Sequence, residues 1–448
     1  MLRSMGRALW TDLYELNMAA SYLHRGMTEP ATFSLFVRGL PHRWGFLVAC
    51  GLERCLDHLA SLRFTDEDLA YLGRHQGYGD DVLEAFRAMR FTGDVWAVPE
   101  GRVVFPEEPL LEVTAPLPEA QLVETFLLNQ VTFQTAIASK AARCRLAAPR
   151  KSLVDFAFRR VHGVEAAMAV ARATAIAGFS ATSNVEAART LGLRATGTMA
   201  HSYVEAFLSE ADAFRAFAED YPDRVVLLVD TYDTVAGVER AIQVARDLAA
   251  RGETLSGIRL DSGDLASLAR EARRMLDAAG LTDVQILASG GLDEDAVRHL
   301  EEAGAPIDAY GIGTRVGVSA DAPYLDSVYK LVSYGDRPVA KLSVAKATLP
   351  GSKQVWRRAD WSGDVVGLRE EAGPERGEPL LAPAMEGGGP VSRDGLPEAA
   401  ERFSADLEAL PEALRSLEPG RPYEVTESED LASLAQRVRR SIAARELS

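Results

Sequence analysis

The chain has 448 residues, 47% apolar and 25% charged, with 49 Lys plus Arg against 65 Asp plus Glu. That length exceeds one hydrophobic core and points to two or three domains. The formal charge of −16 argues against a nucleic-acid partner, since neutralising a phosphate backbone takes a basic face. No apolar run is long enough to span a membrane, so no membrane partner is expected. Cys50, Cys55 and Cys144 form no CxxC pair, which fits a reducing compartment. The stretch from Met1 to Trp10 lacks the apolar core of a signal peptide, and Met5 could equally be the start. A cytoplasmic location is expected.

In chain order, Leu13, Leu16, Ala20 and Leu23 repeat at helical spacing, with Thr11 or Asp12 as the cap. Ala31 to Arg38 alternates like a strand until Gly39-Leu40-Pro41, and Val48 to Leu62 resumes helical periodicity. Short strands follow between Phe91 and Val113, and a long helical region runs from Leu117 to Leu146. Residues 1–145 read as an α+β domain. From Ser152, β-rich runs alternate with amphipathic segments: Ser152–Phe156, Phe179–Thr182, Arg194–Thr198, Val225–Asp230, Gly257–Asp261, Val284–Ser289, Ile307–Gly313 and Val328–Val332. Such alternation implies parallel strands joined by helices. Eight strands but only about six helices predict an irregular (β/α) barrel over residues 146–350. After Trp356 the composition turns to Gly, Pro and Glu, and helices resume at Leu396–Leu417 and Ser428–Arg445. Residues 351–448 read as a C-terminal region packing on the first domain. The expected fold is α/β, an irregular barrel with an additional α+β domain built from both terminal segments.

The carboxyl ends of the expected strands are the usual ligand face of a barrel. They carry Arg159 and Arg160, Thr182-Ser183-Asn184, Thr198 and His201, Asp230 and Asp233, Arg259, Asp261 and Asp264, Ser289-Gly290-Gly291 and Gly311-Ile312-Gly313-Thr314. Ser183, Thr234 and Asp264 are also plausible helix caps. Arg259, inside Gly-Ile-Arg-Leu-Asp, needs an anionic partner. The two glycine turns permit close backbone approach to a phosphate monoester. Two D-x-x-D pairs, Asp230/Asp233 and Asp261/Asp264, could hold ribose hydroxyls or Mg²⁺, with an acid–base dyad as the rival reading. Ser202-Tyr203-Val204-Glu205 has the form of a capping box, which places His201 just before a helix, where the dipole attracts phosphate.

Read together, Thr11-Asp12-Leu13-Tyr14, Phe158-Arg159-Arg160, Thr182-Ser183-Asn184, Gly197-Thr198-Met199-Ala200-His201-Ser202, Asp230-Thr231-Tyr232-Asp233, Gly257-Ile258-Arg259-Leu260-Asp261 and Ser289-Gly290-Gly291-Leu292-Asp293-Glu294 resemble nicotinate phosphoribosyltransferases. The resemblance continues in order through Tyr310-Gly311-Ile312-Gly313-Thr314 and Lys341-Leu342-Ser343. It implies a homodimer that condenses nicotinate with phosphoribosyl pyrophosphate, with Mg²⁺ as cofactor and ATP as co-substrate through a phosphohistidine, in NAD salvage. His201 stands at the phosphohistidine position. Tyr14, Thr198 and Arg259 match positions contacting nicotinate, Thr314 one contacting the phosphoribosyl group, and Arg159 and Arg160 arginines near the pyrophosphate. The chain departs from the family pattern at Ala181 and His162.

Two other functions fit parts of this pattern. Nicotinamide-using relatives carry Asp where Ser183 stands, and an Asp would repel a carboxylate. A quinolinate enzyme would need more basic groups. A non-catalytic phosphate-binding barrel acting as a metabolite sensor would keep the glycine turns without needing His201 or the paired aspartates.

Overall fold

In the computed structural model, the described residues are 8–343, 347–391, 394–418 and 420–446. Residues 1–7, including the alternative start Met5, lie outside them. The chain divides into two compact units: Met1–Ala136 with Tyr324–Ser448, and Ile137–Pro323.

Ile137–Pro323 contains a parallel sheet. Among the described residues its six strands run in the order Ala181–Thr182, Ser152–Asp155, Ala309–Ile312, Gln285–Ser289, Leu255–Leu260, Val225–Leu228. Every neighbouring pair is parallel. Leu153, Leu227, Ile258, Ile286 and Ile312 are buried, as expected of a parallel sheet covered on both faces. The edge strands Ala181–Thr182 and Val225–Leu228 are not paired to each other among the described residues, so the α/β barrel is irregular and incompletely closed.

Two of the eight expected strands fall elsewhere. Arg194–Thr198 forms only a single bridge, Thr182 to Ala195. The Arg-Ala-Thr-Gly-Thr run has no large apolar side chain to bury, and Arg194, Ala195 and Gly197 are exposed. Val328–Val332 belongs to the other unit, where Ser327–Tyr334 pairs antiparallel with Pro30–Val37. Every residue of Ser327–Tyr334 is buried or half-buried, so the run carries no one-sided pattern that would tell an antiparallel strand from a parallel one.

Short acidic or amide side chains start the helices that follow the strands. Asn184, Asp233, Asp264 and Asp293 accept backbone N–H bonds from Ala187, Ala236, Ser267 and Ala296. Each such cap contributes about 1 kcal/mol. Asn184 and Asp233 therefore cap where Ser183 and Thr234 were expected, while Asp264 caps as anticipated.

In the first unit, Pro30–Val37, Asp94–Ala97 and Pro109–Pro116 from the N-terminal segment share a sheet with Ser327–Tyr334 and Ala382–Glu386. Ala382–Glu386 pairs antiparallel with Asp94–Ala97, so the additional α+β domain is built from both terminal segments. Beside this sheet lies a buried charge network. Arg357 sits 4.2 Å from the Trp361 ring centroid and 5.5 Å from that of Phe105, and pairs with Asp364 at 2.7 Å. Fully buried Glu108 accepts the Phe105 N–H at 2.9 Å. Burial, then the neighbouring Asp364, holds its carboxyl well above the usual carboxylate range. Cys50, Cys55 and Cys144 are buried and form no disulfide. No described helix is long and apolar enough to cross a membrane.

Candidate active site

At the strand ends of Ile137–Pro323, side-chain links join Thr198 with Arg259, and Asp230, Asp261 and Ser289 in a chain. At the centre is Arg259, near the end of the Leu255–Leu260 strand. Its Nη1 donates to Thr198 Oγ1 at 2.7 Å and its Nη2 to the Met199 carbonyl at 3.0 Å. Its Nε is buried with no hydrogen-bond partner among the described residues. Burial pulls the guanidinium below its ordinary value, while Asp261 and then Asp230 oppose that shift.

Arg259 also explains where the next helix starts. Met199 is buried and its carbonyl is held, which keeps the chain extended through Ala200. The helix is His201–Glu205, five residues long, with Ala200 at the N-cap and no side-chain cap. The expected capping box at Ser202 and Glu205 is therefore absent, because the N-cap lies two residues earlier and Glu205 falls at the helix end. His201 is the first helical residue rather than the one before it. What holds its imidazole is a neighbouring strand end: Nδ1 lies 3.2 Å from Thr231 Oγ1.

The aspartates divide by role. Asp230 Oδ2 accepts the Asp261 N–H at 3.0 Å and the Ser262 hydroxyl at 2.5 Å, while its Oδ1 is buried without a partner among the described residues. Asp261 accepts a short hydrogen bond from the Ser289 hydroxyl. Asp233 and Asp264 are spent on helix caps, and Ser267 bonds hold the Asp264 carboxyl below its ordinary value. The two D-x-x-D pairs thus present one inner aspartate each, Asp230 and Asp261. No group of three or more His, Cys, Asp or Glu able to hold a metal occurs among the described residues.

The glycine turns are tight where the chemistry needs them. A Cβ on Gly290 would stand 1.9 Å from the Asp261 carbonyl oxygen, and Gly290 has φ +94°. Gly291 has φ +66° with open space around it. A Cβ on Gly313 would meet the Phe156 carbonyl at 2.9 Å. Exposed Thr314 opens the short Thr314–Gly317 helix, and Arg315 pairs with Asp293. Arg159 and Arg160 are exposed on a single 3-10 turn, Phe158–Arg160. Ser183 is half-buried just after the Ala181–Thr182 strand, its hydroxyl not used for capping. Tyr14 is exposed on the Leu13–His24 helix of the other unit, its hydroxyl pushed up by burial and by Glu124 and Glu15.

Sequence reasoning missed Asp155. This buried carboxylate accepts the Ala157 N–H at 2.8 Å and the Thr182 hydroxyl at 2.7 Å, and so fixes the turn leading to Arg159 and Arg160. An acid closing the apolar Ser-Leu-Val-Asp strand was the available signal. It also missed buried Lys140 and Arg143, which carry no motif, and the buried role of Glu294, which closes the Ser-Gly-Gly-Leu-Asp-Glu run.

A ring of cationic, acidic and hydroxyl groups at parallel strand ends, with two glycine turns beside it, defines an α/β enzyme class that handles phosphorylated substrates. Comparison with known proteins makes this specific. The model of the nicotinate phosphoribosyltransferase N-terminal domain matches residues 9–132, and the nicotinate phosphoribosyltransferase family model matches residues 151–346. A nicotinate phosphoribosyltransferase of Mycobacterium tuberculosis is 45% identical over 438 residues, covering 96% of this chain and 94% of that protein. One from Bacillus subtilis is 44% identical over 377 residues, covering 81% and 76%. The crystal structure of human nicotinic acid phosphoribosyltransferase superposes with a TM-score of 0.86 at 29% identity, over 96% of this chain and 99% of that one. The chain belongs to the nicotinate phosphoribosyltransferase family. It is an enzyme of NAD biosynthesis that transfers a phosphoribosyl group to nicotinate, and the family implies phosphoribosyl pyrophosphate as the donor.

Proposed function

We propose that nicotinate and phosphoribosyl pyrophosphate meet at the strand ends around Arg259, and that ATP hydrolysis is coupled to their condensation through His201. The observation that carries this reading is the buried, unmatched Nε–H of Arg259. A buried donor without an acceptor is costly, and a carboxylate would satisfy it with a charge-assisted bond. Ser183, with its hydroxyl not used for capping, offers no negative charge against that carboxylate, which favours the acid over nicotinamide.

The pyridine nitrogen is already nucleophilic, so no strong base is needed. It attacks the ribose C1 as the C1–O bond to pyrophosphate breaks, through an oxocarbenium-like state. Arg259, Thr198 and Tyr14 orient the ring; Arg159 and Arg160 stabilise the departing pyrophosphate. Gly290, Gly291, Gly313 and Thr314 bind the monoester end. Asp230, with its unmatched buried Oδ1, and Asp261 would hold an Mg²⁺, since such ions take few protein carboxylates. That ion supplies charge neutralisation at the pyrophosphate.

In the coupled step the γ-phosphoryl group of ATP passes to His201 Nε2, releasing ADP, and water later takes it as orthophosphate. Thr231 occupies the Nδ1 side and leaves Nε2 open. We further propose a cytoplasmic homodimer, with Tyr14 of one copy serving nicotinate bound by the other. The deciding experiment measures mononucleotide formation from nicotinate against nicotinamide, with phosphoribosyl pyrophosphate, with and without ATP. Nicotinate preference and ATP stimulation are expected; equal use of nicotinamide would transfer the site to the amide-using relatives.

A further inference from the structure

Four contacts hold the segment from Ser289 to Glu294. The Ser289 hydroxyl goes to Asp261, and Gly290 lies against the Asp261 carbonyl. Asp293 caps the Glu294–Glu302 helix and receives Arg315 from the other glycine turn. The fourth contact is a buried ion cluster. Glu294, 2% exposed at its side chain, meets Lys140 Nζ at 2.6 Å and Arg143 Nε at 2.8 Å; both cations lie on the Glu124–Ala147 helix. Lys140 also reaches Asp321 at 2.5 Å. Burial pulls the Lys140 ammonium down, but Glu294 and Asp321 more than offset it and leave it above its ordinary value.

Such a cluster is a poor way to gain stability, because desolvating the ions offsets their attraction. Its geometric effect is stronger. Glu294 is the first residue of its helix, directly after Asp293, so its carboxylate fixes the point where the glycine turn enters that helix. Asp293 and Arg315 then pass that position on to Gly313 and Thr314. None of the four charged groups belongs to the ring of strand-end residues.

We infer that Glu294, clamped by Lys140 and Arg143, is a positioning residue that sets both glycine turns for the phosphorylated substrate. This rests on the reading that those turns bind the monoester of phosphoribosyl pyrophosphate. The test uses the full-length enzyme with Glu294→Gln, which keeps the shape and removes the charge. The expected result is a KM for phosphoribosyl pyrophosphate raised about tenfold, with the nicotinate KM within about twofold of wild type. Hydrogen exchange of the free enzyme should quicken at residues 289–293. Should Glu294→Gln not fold, the apolar triple variant Lys140→Met, Arg143→Met, Glu294→Met takes its place, with the same expected split. Unchanged KM values with unchanged exchange in a folded variant would overturn the inference. Faster exchange with an unchanged phosphoribosyl pyrophosphate KM would keep the clamp but overturn its place in substrate binding. A wild-type enzyme inactive on phosphoribosyl pyrophosphate would instead sink the underlying reading.

Discussion

Arg259 does two jobs with one guanidinium. Two of its nitrogens tie down Thr198 and Met199, and the third, buried with no hydrogen-bond partner among the described residues, is the one proposed to meet an anion. Arg259→Ala should raise the nicotinate KM and erode the preference over nicotinamide. Loss of a charge-assisted bond costs about 1.5–3 kcal/mol, or roughly 10- to 150-fold in kcat/KM. Arg259→Lys should not restore it, because an ammonium cannot serve three acceptors in a fixed plane. Wild-type specificity in either variant would place the carboxylate elsewhere. For His201 the expectation differs, since its imidazole is not the attacking group. His201→Ala should lose ATP hydrolysis and ATP stimulation while keeping slow mononucleotide synthesis. Mass spectrometry under alkaline conditions after ATP treatment should find an acid-labile adduct on His201 of the parent enzyme. An unmodified His201 alongside intact ATP-coupled turnover would contradict the assignment.

Elements matter here mainly through how they end. The Leu255–Leu260 and Gln285–Ser289 strands are parallel neighbours, so their following turns lie side by side, Asp261 against Gly290. That contact separates two adjacent glycines. Gly290→Ala would drive a methyl into the Asp261 carbonyl at 1.9 Å and should cut kcat/KM about a hundredfold or more. Gly291→Ala meets open space and faces only a left-handed φ, a cost of about 1–2 kcal/mol. Steady-state kinetics on both variants tests the ranking, and a milder loss at Gly290 would show that the turns can slide apart.

At the scale of the whole molecule, the buried network around Arg357 links stability to pH. Glu108 has a folded pKa raised above its unfolded value, by burial first and then by Asp364. Its contribution is therefore favourable below the unfolded carboxylate range and is lost as pH rises toward the folded value. Glu108→Gln removes that ionisation and should raise the melting temperature at pH 7–8 by about 2 °C or more, with the gain disappearing near pH 4. Thermal melts across that range check the sign; a gain at low pH and none at neutral pH would reverse it. Assembly gives a second test. If Tyr14 serves a partner's site, mixing inactive Tyr14→Ala and Arg259→Ala subunits should restore some activity once they exchange. Proven heterodimers without recovery would show that each chain completes its own site.

What the chain disclosed by itself was local chemistry in order. Apolar runs ending in Asp, Thr-Ser-Asn, Ser-Gly-Gly or Gly-Ile-Gly marked the six parallel strands of the described sheet and the polar residues at their ends. Those signals lie within a few residues, so they survive without knowledge of the fold. Tertiary structure decided what depends on distant partners. Val328–Val332 reads like any β-rich run, but it pairs with Pro30–Val37, far earlier in the chain, and no local spacing marks that partner. Ser202 and Glu205 have capping-box spacing, yet Arg259, more than fifty residues away, holds Met199 and starts the helix at His201. Lys140 and Arg143 carry no motif, and nothing in the run that holds Glu294 points to them, because an ion cluster is defined by burial and proximity, and neither is written in spacing.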